Sequence, residues 1–358
     1  METSSYQIAQ LYYNLADDHT DIFLTKLGYE APKYFRSSIG SKELSDLYSK
    51  CFQDSDAEKV YCELRNGYLS QFKDFISPVV DYTNPGDILW LIPDGLLHFL
   101  PFAAIPWKGQ PLVNRNPLVY SPSMTAMAYC RLWRNEILGT LLDGAGRSFL
   151  GVGIGPEKHN PGFVNEIQEL SLKSFWKRVK LLTGTEATKE NLIRYGRVFD
   201  VIHISGHAVF TLDDPLDSYL LVSNGRGLPP QDFGRSVPEE YKISARDLLG
   251  QSFGCDLVTL ASCWTGQSKI FPGDTRLGLG DAFLAIKTAS LIVSRWAAHV
   301  EATNFLLSRF YHYWLEEDTV TTKAHALQKA MVDTMNSTDN DWELPFFWAN
   351  FALIGDWE

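Results

Sequence analysis

Apolar and polar positions follow two patterns along this chain. Up to about residue 84, in Q-I-A-Q-L-Y-Y-N-L-A and K-E-L-S-D-L-Y-S-K-C-F, apolar residues stand three and four apart, the spacing of amphipathic helices. Tyr61, Leu64, Tyr68, Leu69, Phe72 and Phe75 extend that spacing over residues 60–76, and Pro78 marks the end of the helix it predicts. The turn Asn84-Pro85-Gly86-Asp87 closes this segment. Beyond it, short apolar runs alternate with amphipathic stretches. The runs predict strands at 88–92, 118–121, 148–154, 179–182, 200–205, 220–222, 255–262, 291–296 and 351–355. The stretches between them predict helices, the longest at 164–178, 277–289, 299–316 and 321–335. Such alternation gives a parallel sheet with right-handed crossovers. The expected architecture is α/β: a mostly parallel sheet of about six strands flanked by helices over 85–358, preceded by a helical segment over 1–84. Two long loops, 224–243 and 264–276, interrupt the alternation.

Composition narrows the chemistry. The chain has 358 residues, 45% hydrophobic and 21% charged, as expected of a globular protein with ample core. A net charge of -11 argues against a nucleic-acid partner held by phosphate contacts and suits a basic substrate. Cys51, Cys62, Cys130, Cys255 and Cys263 form no C-x-x-C pair and no zinc spacing, so neither a disulfide framework nor a metal site is expected. That usage fits a reducing cytoplasm. The N-terminus lacks a basic segment leading into an apolar one, and no apolar run reaches the roughly 18 residues of a membrane span, so a cytosolic location is expected. Gly151-Val152-Gly153-Ile154-Gly155 lacks the full G-x-G-x-x-G spacing and reads as a turn. With no P-loop and no G-x-S-x-G, no cofactor is expected.

Two of the strands end in reactive side chains. One is D-V-I-H-I-S-G-H, ending at His207; the other is C-D-L-V-T-L-A-S-C, ending at Cys263. Placed side by side in a parallel sheet, both side chains emerge at its carboxyl edge. An imidazole there accepts the thiol proton and makes the sulfur a nucleophile, the chemistry of a thiol hydrolase. A cysteine alone at a strand end is usually a small buried hydrophobe, so the pairing with His207 is what singles out Cys263. His203 lies on the same strand face as His207, one pleat pair deeper, and reads as a hydrogen-bonded core histidine.

Several ordered blocks then resemble CHAT-domain proteases of the caspase and separase clan. They are Pro93-Asp94-Gly95, Leu97-His98 and Leu100-Pro101-Phe102-Ala103-Ala104; His203 and His207; Leu260-Ala261-Ser262-Cys263 with Thr265-Gly266; Gly273-Asp274; Ser294 and Trp296; and Trp348-Ala349, Phe351, Leu353 and Gly355. The likeness covers about residues 85–358. It implies a caspase-like fold and a cysteine endopeptidase with Cys263 as nucleophile and His207 as base. It also implies an oxyanion held by the backbone N–H of Cys263 and of the residue after the histidine. That residue is a glycine in the family and Ala208 here, which resists positive φ.

Carboxylates at the rim of a site select cationic side chains, arginine above all. Asp213, Asp214 and Asp217 follow His207, and Asp274 follows Cys263, so a substrate with Arg or Lys before the cut is expected. Asp274 leads because the family pattern includes it; Asp213 and Asp214 read equally well as caps of the turn before Pro215. The resemblance further implies a protein substrate, a role in bacterial defence or regulated cell death, and a regulatory partner docking on residues 1–84. A second reading, favoured by Ala208, is a catalytically silent CHAT-like module that works by binding protein.

Overall fold

The computed structural model describes residues 6–51, 57–65, 67–140, 147–155, 162–229, 237–271, 274–316, 321–338 and 342–358. The chain opens with three strands, β1 (Ile8–Leu15), β2 (Thr20–Lys26) and β3 (Lys33–Ser37), followed by helices α1 (Ser41–Cys51) and α2 (Ala57–Arg65). Next come β4 (Ile88–Ile92), β5 (Leu118–Tyr120), α3 (Met124–Thr140), β6 (Ser148–Gly153), α4 (Gly162–Ser171), β7 (Arg178–Thr183) and α5 (Lys189–Gly196). Then follow β8 (Val201–Gly206), β9 (Ala208–Val209), β10 (Tyr219–Leu221), β11 (Lys242–Ser244) and β12 (Cys255–Ser262). The last elements are β13 (Ser268–Phe271), β14 (Thr275–Gly278), α6 (Leu279–Ala285), β15 (Thr288–Ser294), α7 (Val300–Leu315), α8 (Lys323–Met335) and β16 (Phe351–Gly355).

Eleven strands form one sheet in the order β3-β2-β1-β4-β5-β16-β15-β12-β8-β6-β7. Its pairs are parallel except at β3/β2, β2/β1 and β16/β15. Every residue of β4, β6, β8, β12, β15 and β16 is buried, the signature of strands covered on both faces. The α/β architecture is therefore as read from the sequence, with a sheet larger than the six strands expected.

The helical expectation for the first residues is corrected. In β1 the buried side chains are Ala9, Leu11 and Tyr13, and in β2 they are Thr20, Ile22 and Leu24, which is a period of two. Ile8, Leu11, Tyr12 and Leu15 mimic helical spacing, and the small Ala9 hides the alternation. The sheet runs across residue 84 without a break, since β1 pairs in parallel with β4, Ile8 opposite Ile88. The single helix expected over 60–76 is likewise two pieces: α2, then a 3-10 segment, Tyr68–Phe75, with Gly67 at φ 71 between them. Leu220 and Leu221 do not continue the main sheet but pair with β9 and β11 in a small antiparallel one. The loop expected at 264–276 overlaps the hairpin of β13 and β14, which runs on to Gly278.

Gly151 and Gly153 lie within β6 rather than in a turn, and each permits a close approach. A Cβ on Gly153 would stand 2.9 Å from Ile167 Cδ1 and 3.2 Å from the Phe163 carbonyl oxygen. These glycines let α4 seat directly on the sheet. At the other end of β12, Asp256 is fully buried between Lys323 Nζ at 2.7 Å and Arg147 Nε at 2.9 Å. No helix of the described residues is long and apolar enough to cross a membrane.

Candidate active site

β8 and β12 lie side by side in parallel register, Val201 opposite Leu257 through Gly206 opposite Ser262. His207 and Cys263 are the next residue of each strand, so they emerge at the same level of the carboxyl edge. Both line one cavity of about 210 Å³, with Phe163, Glu166, Gly206, Ala261, Ala298, Val300, Thr303 and Asn304. The Phe163 and His207 rings meet at right angles, 5.0 Å between centroids and 88° between planes. Burial pushes the His207 imidazole below its ordinary value. Burial pushes the Cys263 thiol up, opposed by the Ala298 N–H, which donates to Sγ at 3.4 Å. Both shifts favour the uncharged forms, imidazole and thiol.

Ala208 begins β9 and pairs with Leu220. Leu221 N–H donates to the His207 carbonyl at 3.0 Å, which makes Ala208 and Leu220 a non-hydrogen-bonded pair of the ladder. The Ala208 N–H therefore faces away from β10. Among the described residues positive φ outside glycine occurs at Lys108, Trp264, Asp274 and Lys287, and not at Ala208. An alanine fits this backbone without strain.

Glu166 is a site residue that the sequence reading missed. It is 4% exposed on α4, one turn after Phe163. Its Oε1 lies 3.1 Å from His203 Nε2, and its other oxygen accepts from the Ser205 hydroxyl. With its amide turned, Asn304 also donates to Glu166 at 3.3 Å. Because His203, Ser205 and His207 share one face of β8, these bonds place Glu166 on the His207 side of the sheet. His203 is the expected core histidine, completed by the Tyr311 hydroxyl at 3.2 Å from Nδ1. The signal for Glu166 was available: it falls among Phe163, Ile167 and Leu170 on the buried face of an amphipathic helix. A carboxylate there is rare unless it is paired or functional.

The other carboxylates stand elsewhere, and none of Asp213, Asp214, Asp217 and Asp274 lines the cavity. Asp214 caps a turn by accepting the Leu216 N–H at 3.1 Å, and both Asp214 and Asp217 pair with Arg246, at 2.7 and 3.2 Å. Asp213 is exposed, its carbonyl accepting from Lys269 at 3.3 Å. Asp274, at φ 56, accepts the Gly95 N–H at 2.9 Å and faces His98 Nε2 at 3.3 Å. Burial opposes its ionisation, but these bonds hold Asp274 below the usual carboxylate range. Arg276 donates to His98 Nδ1 at 3.0 Å, which assigns the His98 proton to Nε2. Burial and the Arg276 charge push His98 down to about 4, so it stays neutral in this clamp. Asp274 thereby fastens the β13/β14 hairpin to the Gly95–Phe99 turn. Gly273, the other half of its sequence block, lies outside the described residues.

Comparisons with known proteins bear on the fold that carries this cavity. The chain is 26% identical over 196 residues to tetratricopeptide repeat protein 28 of Homo sapiens, a match covering 49% of this chain and 8% of that protein. Among solved structures, the Saccharomyces cerevisiae separase–securin complex aligns at TM-score 0.62 and 8% identity, over 98% of this chain and 30% of that one. The complex of the Porphyromonas gingivalis RgpB pro- and mature domains aligns at TM-score 0.50 and 12% identity, over 88% of this chain and 75% of the other. The fold is thus the caspase-like one of separase and RgpB. A family model of the CHAT domain matches residues 72–356, and with most of its length inside that match the chain belongs to the CHAT domain family.

Proposed function

We propose that this protein is a cysteine endopeptidase that cuts a protein substrate after an arginine or lysine. The observation that carries the reading is the shared cavity of Cys263, His207 and Glu166. His207 takes the Sγ proton as the sulfur attacks the scissile carbonyl carbon, and the oxyanion forms against the N–H groups of Ala208 and Cys263. Collapse of the tetrahedral adduct expels the amine, which receives the proton from His207. A water molecule that gives its proton to the same imidazole then hydrolyses the thioester. A neutral resting pair makes His207 a general base at the moment of attack rather than half of a standing ion pair.

Glu166, rather than Asp274, Asp213 or Asp214, is the carboxylate we assign to the substrate pocket. Its hydrogen-bond partners are a histidine, a hydroxyl and an amide, and among the described residues no lysine or arginine pairs with it. With no lysine or arginine in that place, an entering guanidinium or ammonium would be the first permanent cation to pair with it. Residues 1–84 are proposed as the docking segment for a regulator. The aromatic ladder Tyr12, Phe23 and Tyr34, with centroids 6.4 and 5.4 Å apart on an exposed face, supports that role. A cytoplasmic setting and a part in defence or regulated cell death belong to the same proposal and rest on the family resemblance.

The test is release from fluorogenic peptides carrying Arg, Lys, Asp or Leu before the bond. Wild type is expected to cut after Arg and Lys. Glu166→Gln should lose about 100-fold in kcat/KM on those two, the worth of a charged hydrogen bond, and change little on Leu. Equal cutting of all four peptides, or indifference to Glu166→Gln, would remove Glu166 from the pocket. The neutral thiol also suits a module that only binds. Such a module would release nothing from any peptide.

A further inference from the structure

Behind Cys263 two buried hydroxyls, Thr265 and Ser294, bond to each other and to the backbone on both sides of the turn that carries the sulfur. Thr265 Oγ1 lies 3.2 Å from Ser294 Oγ and 3.3 Å from each of the Leu260 and Ser262 carbonyl oxygens. In return the Ser294 N–H donates to Thr265 Oγ1 at 3.0 Å, and the Thr265 N–H donates to Ser294 Oγ at 3.3 Å. Ser294 Oγ also donates to the Ser262 carbonyl, and the Gly266 N–H donates to the Ser294 carbonyl at 2.8 Å. These bonds join the end of β12 to the end of β15. The join is close: a Cβ on Gly266 would stand 2.9 Å from the Ser294 carbonyl oxygen.

Inside this frame Trp264, the residue after Cys263, is held at φ 60. A residue with a side chain keeps that left-handed conformation only when its surroundings impose it. Ser294 also heads the segment that leads to Ala298, whose N–H reaches the Cys263 sulfur. Both sides of the sulfur are thus fixed from the same pair of hydroxyls.

We propose that Thr265 and Ser294 are positioning residues: their reciprocal bonds hold Trp264 left-handed and so aim the Cys263 sulfur into the cavity it shares with His207. The consequence for turnover rests on the peptidase reading; the consequence for the sulfur's placement does not. This also accounts for the Thr265-Gly266 and Ser294 blocks of the sequence, which do not themselves line the cavity.

The experiment compares wild type, Thr265→Val and Thr265→Ser in two measurements. The first is kcat and KM on the arginine peptide, per mole of folded enzyme. The second is the rate at which iodoacetamide labels each cysteine at pH 7.5, mapped by peptide mass. Valine keeps the shape and removes the hydroxyl. It is expected to lower kcat about 100-fold with KM nearly unchanged, the penalty of a reacting group displaced by about 1 Å. A sulfur no longer aimed at His207 loses the imidazole that takes its proton, so Cys263 should label more slowly while buried Cys130 and Cys255 stay unlabelled. Thr265→Ser should restore both measurements to near wild type. Wild-type kcat and wild-type Cys263 labelling in Thr265→Val would overturn the proposal, as would equal losses in the Val and Ser variants. If wild type cuts no peptide, the labelling alone decides the positioning role, and only the peptidase reading falls.

Discussion

Cys263→Ala is expected to abolish peptide release, and His207→Ala to lower kcat by about three to four orders of magnitude, because base and nucleophile act as one unit. The double variant should be no worse than Cys263→Ala alone. The pH dependence separates this from an ion-pair mechanism. Burial lowers the His207 imidazole, so its neutral, proton-accepting form persists below the ordinary value of 6.5. The acid limb of kcat/KM should therefore fall below pH 6.5 and vanish from the residual activity of His207→Ala. Profiles of initial rate against pH for the two enzymes check this. An acid limb near the thiol's range, or one that survives the loss of His207, would point to a different base.

Lys323→Met is expected to destabilise the fold by about 3–5 kcal/mol, the penalty of leaving a buried carboxylate without its main partner. Lys323 and Asp256 are both fully buried, 2.7 Å apart, with Arg147 on the other carboxylate oxygen and the Glu358 carbonyl also accepting from Nζ. Since Asp256 stands at the start of β12 and Cys263 beyond its end, the loss falls on stability and not on chemistry. The double variant Lys323→Met/Asp256→Leu should recover part of it, because the buried carboxylate is gone and only the partly exposed Arg147 is left without its partner. Urea midpoints of Lys323→Met, Asp256→Leu and the double variant measure the effect. Additive losses in the double variant would show that the pair contributes by packing alone.

The parts of this molecule that were legible in the sequence are those set by local pattern. β8 and β12 announce themselves as apolar runs, and their last residues, His207 and Cys263, follow from strand direction once a parallel sheet is inferred. β1 and β2 were read as helices because aromatic and aliphatic residues on their outer face imitate a period near 3.6. Only pairing with β4 decides which face is buried. Asp274 was assigned to the pocket because it follows Cys263 in the chain and belongs to the family pattern. Its actual partner, His98, is 176 residues away, a distance that no local pattern reports. Glu166 lay on the apolar face of its helix in plain view, but the meaning of a carboxylate there depends on which strand face it meets. Ala208 looked impaired because glycine at that position was equated with positive φ. The extended backbone of β9 asks no such conformation of it.

The most direct test of the account is affinity labelling with a peptide chloromethyl ketone that ends in arginine, followed by mass mapping of every cysteine. The account predicts a single adduct, on Cys263, formed much more slowly in His207→Ala and in Glu166→Gln and outpacing the matching leucine reagent on wild type. Labelling of exposed Cys62 in its place, or equal rates with the arginine and leucine reagents, would contradict the claim that Cys263, His207 and Glu166 make one site.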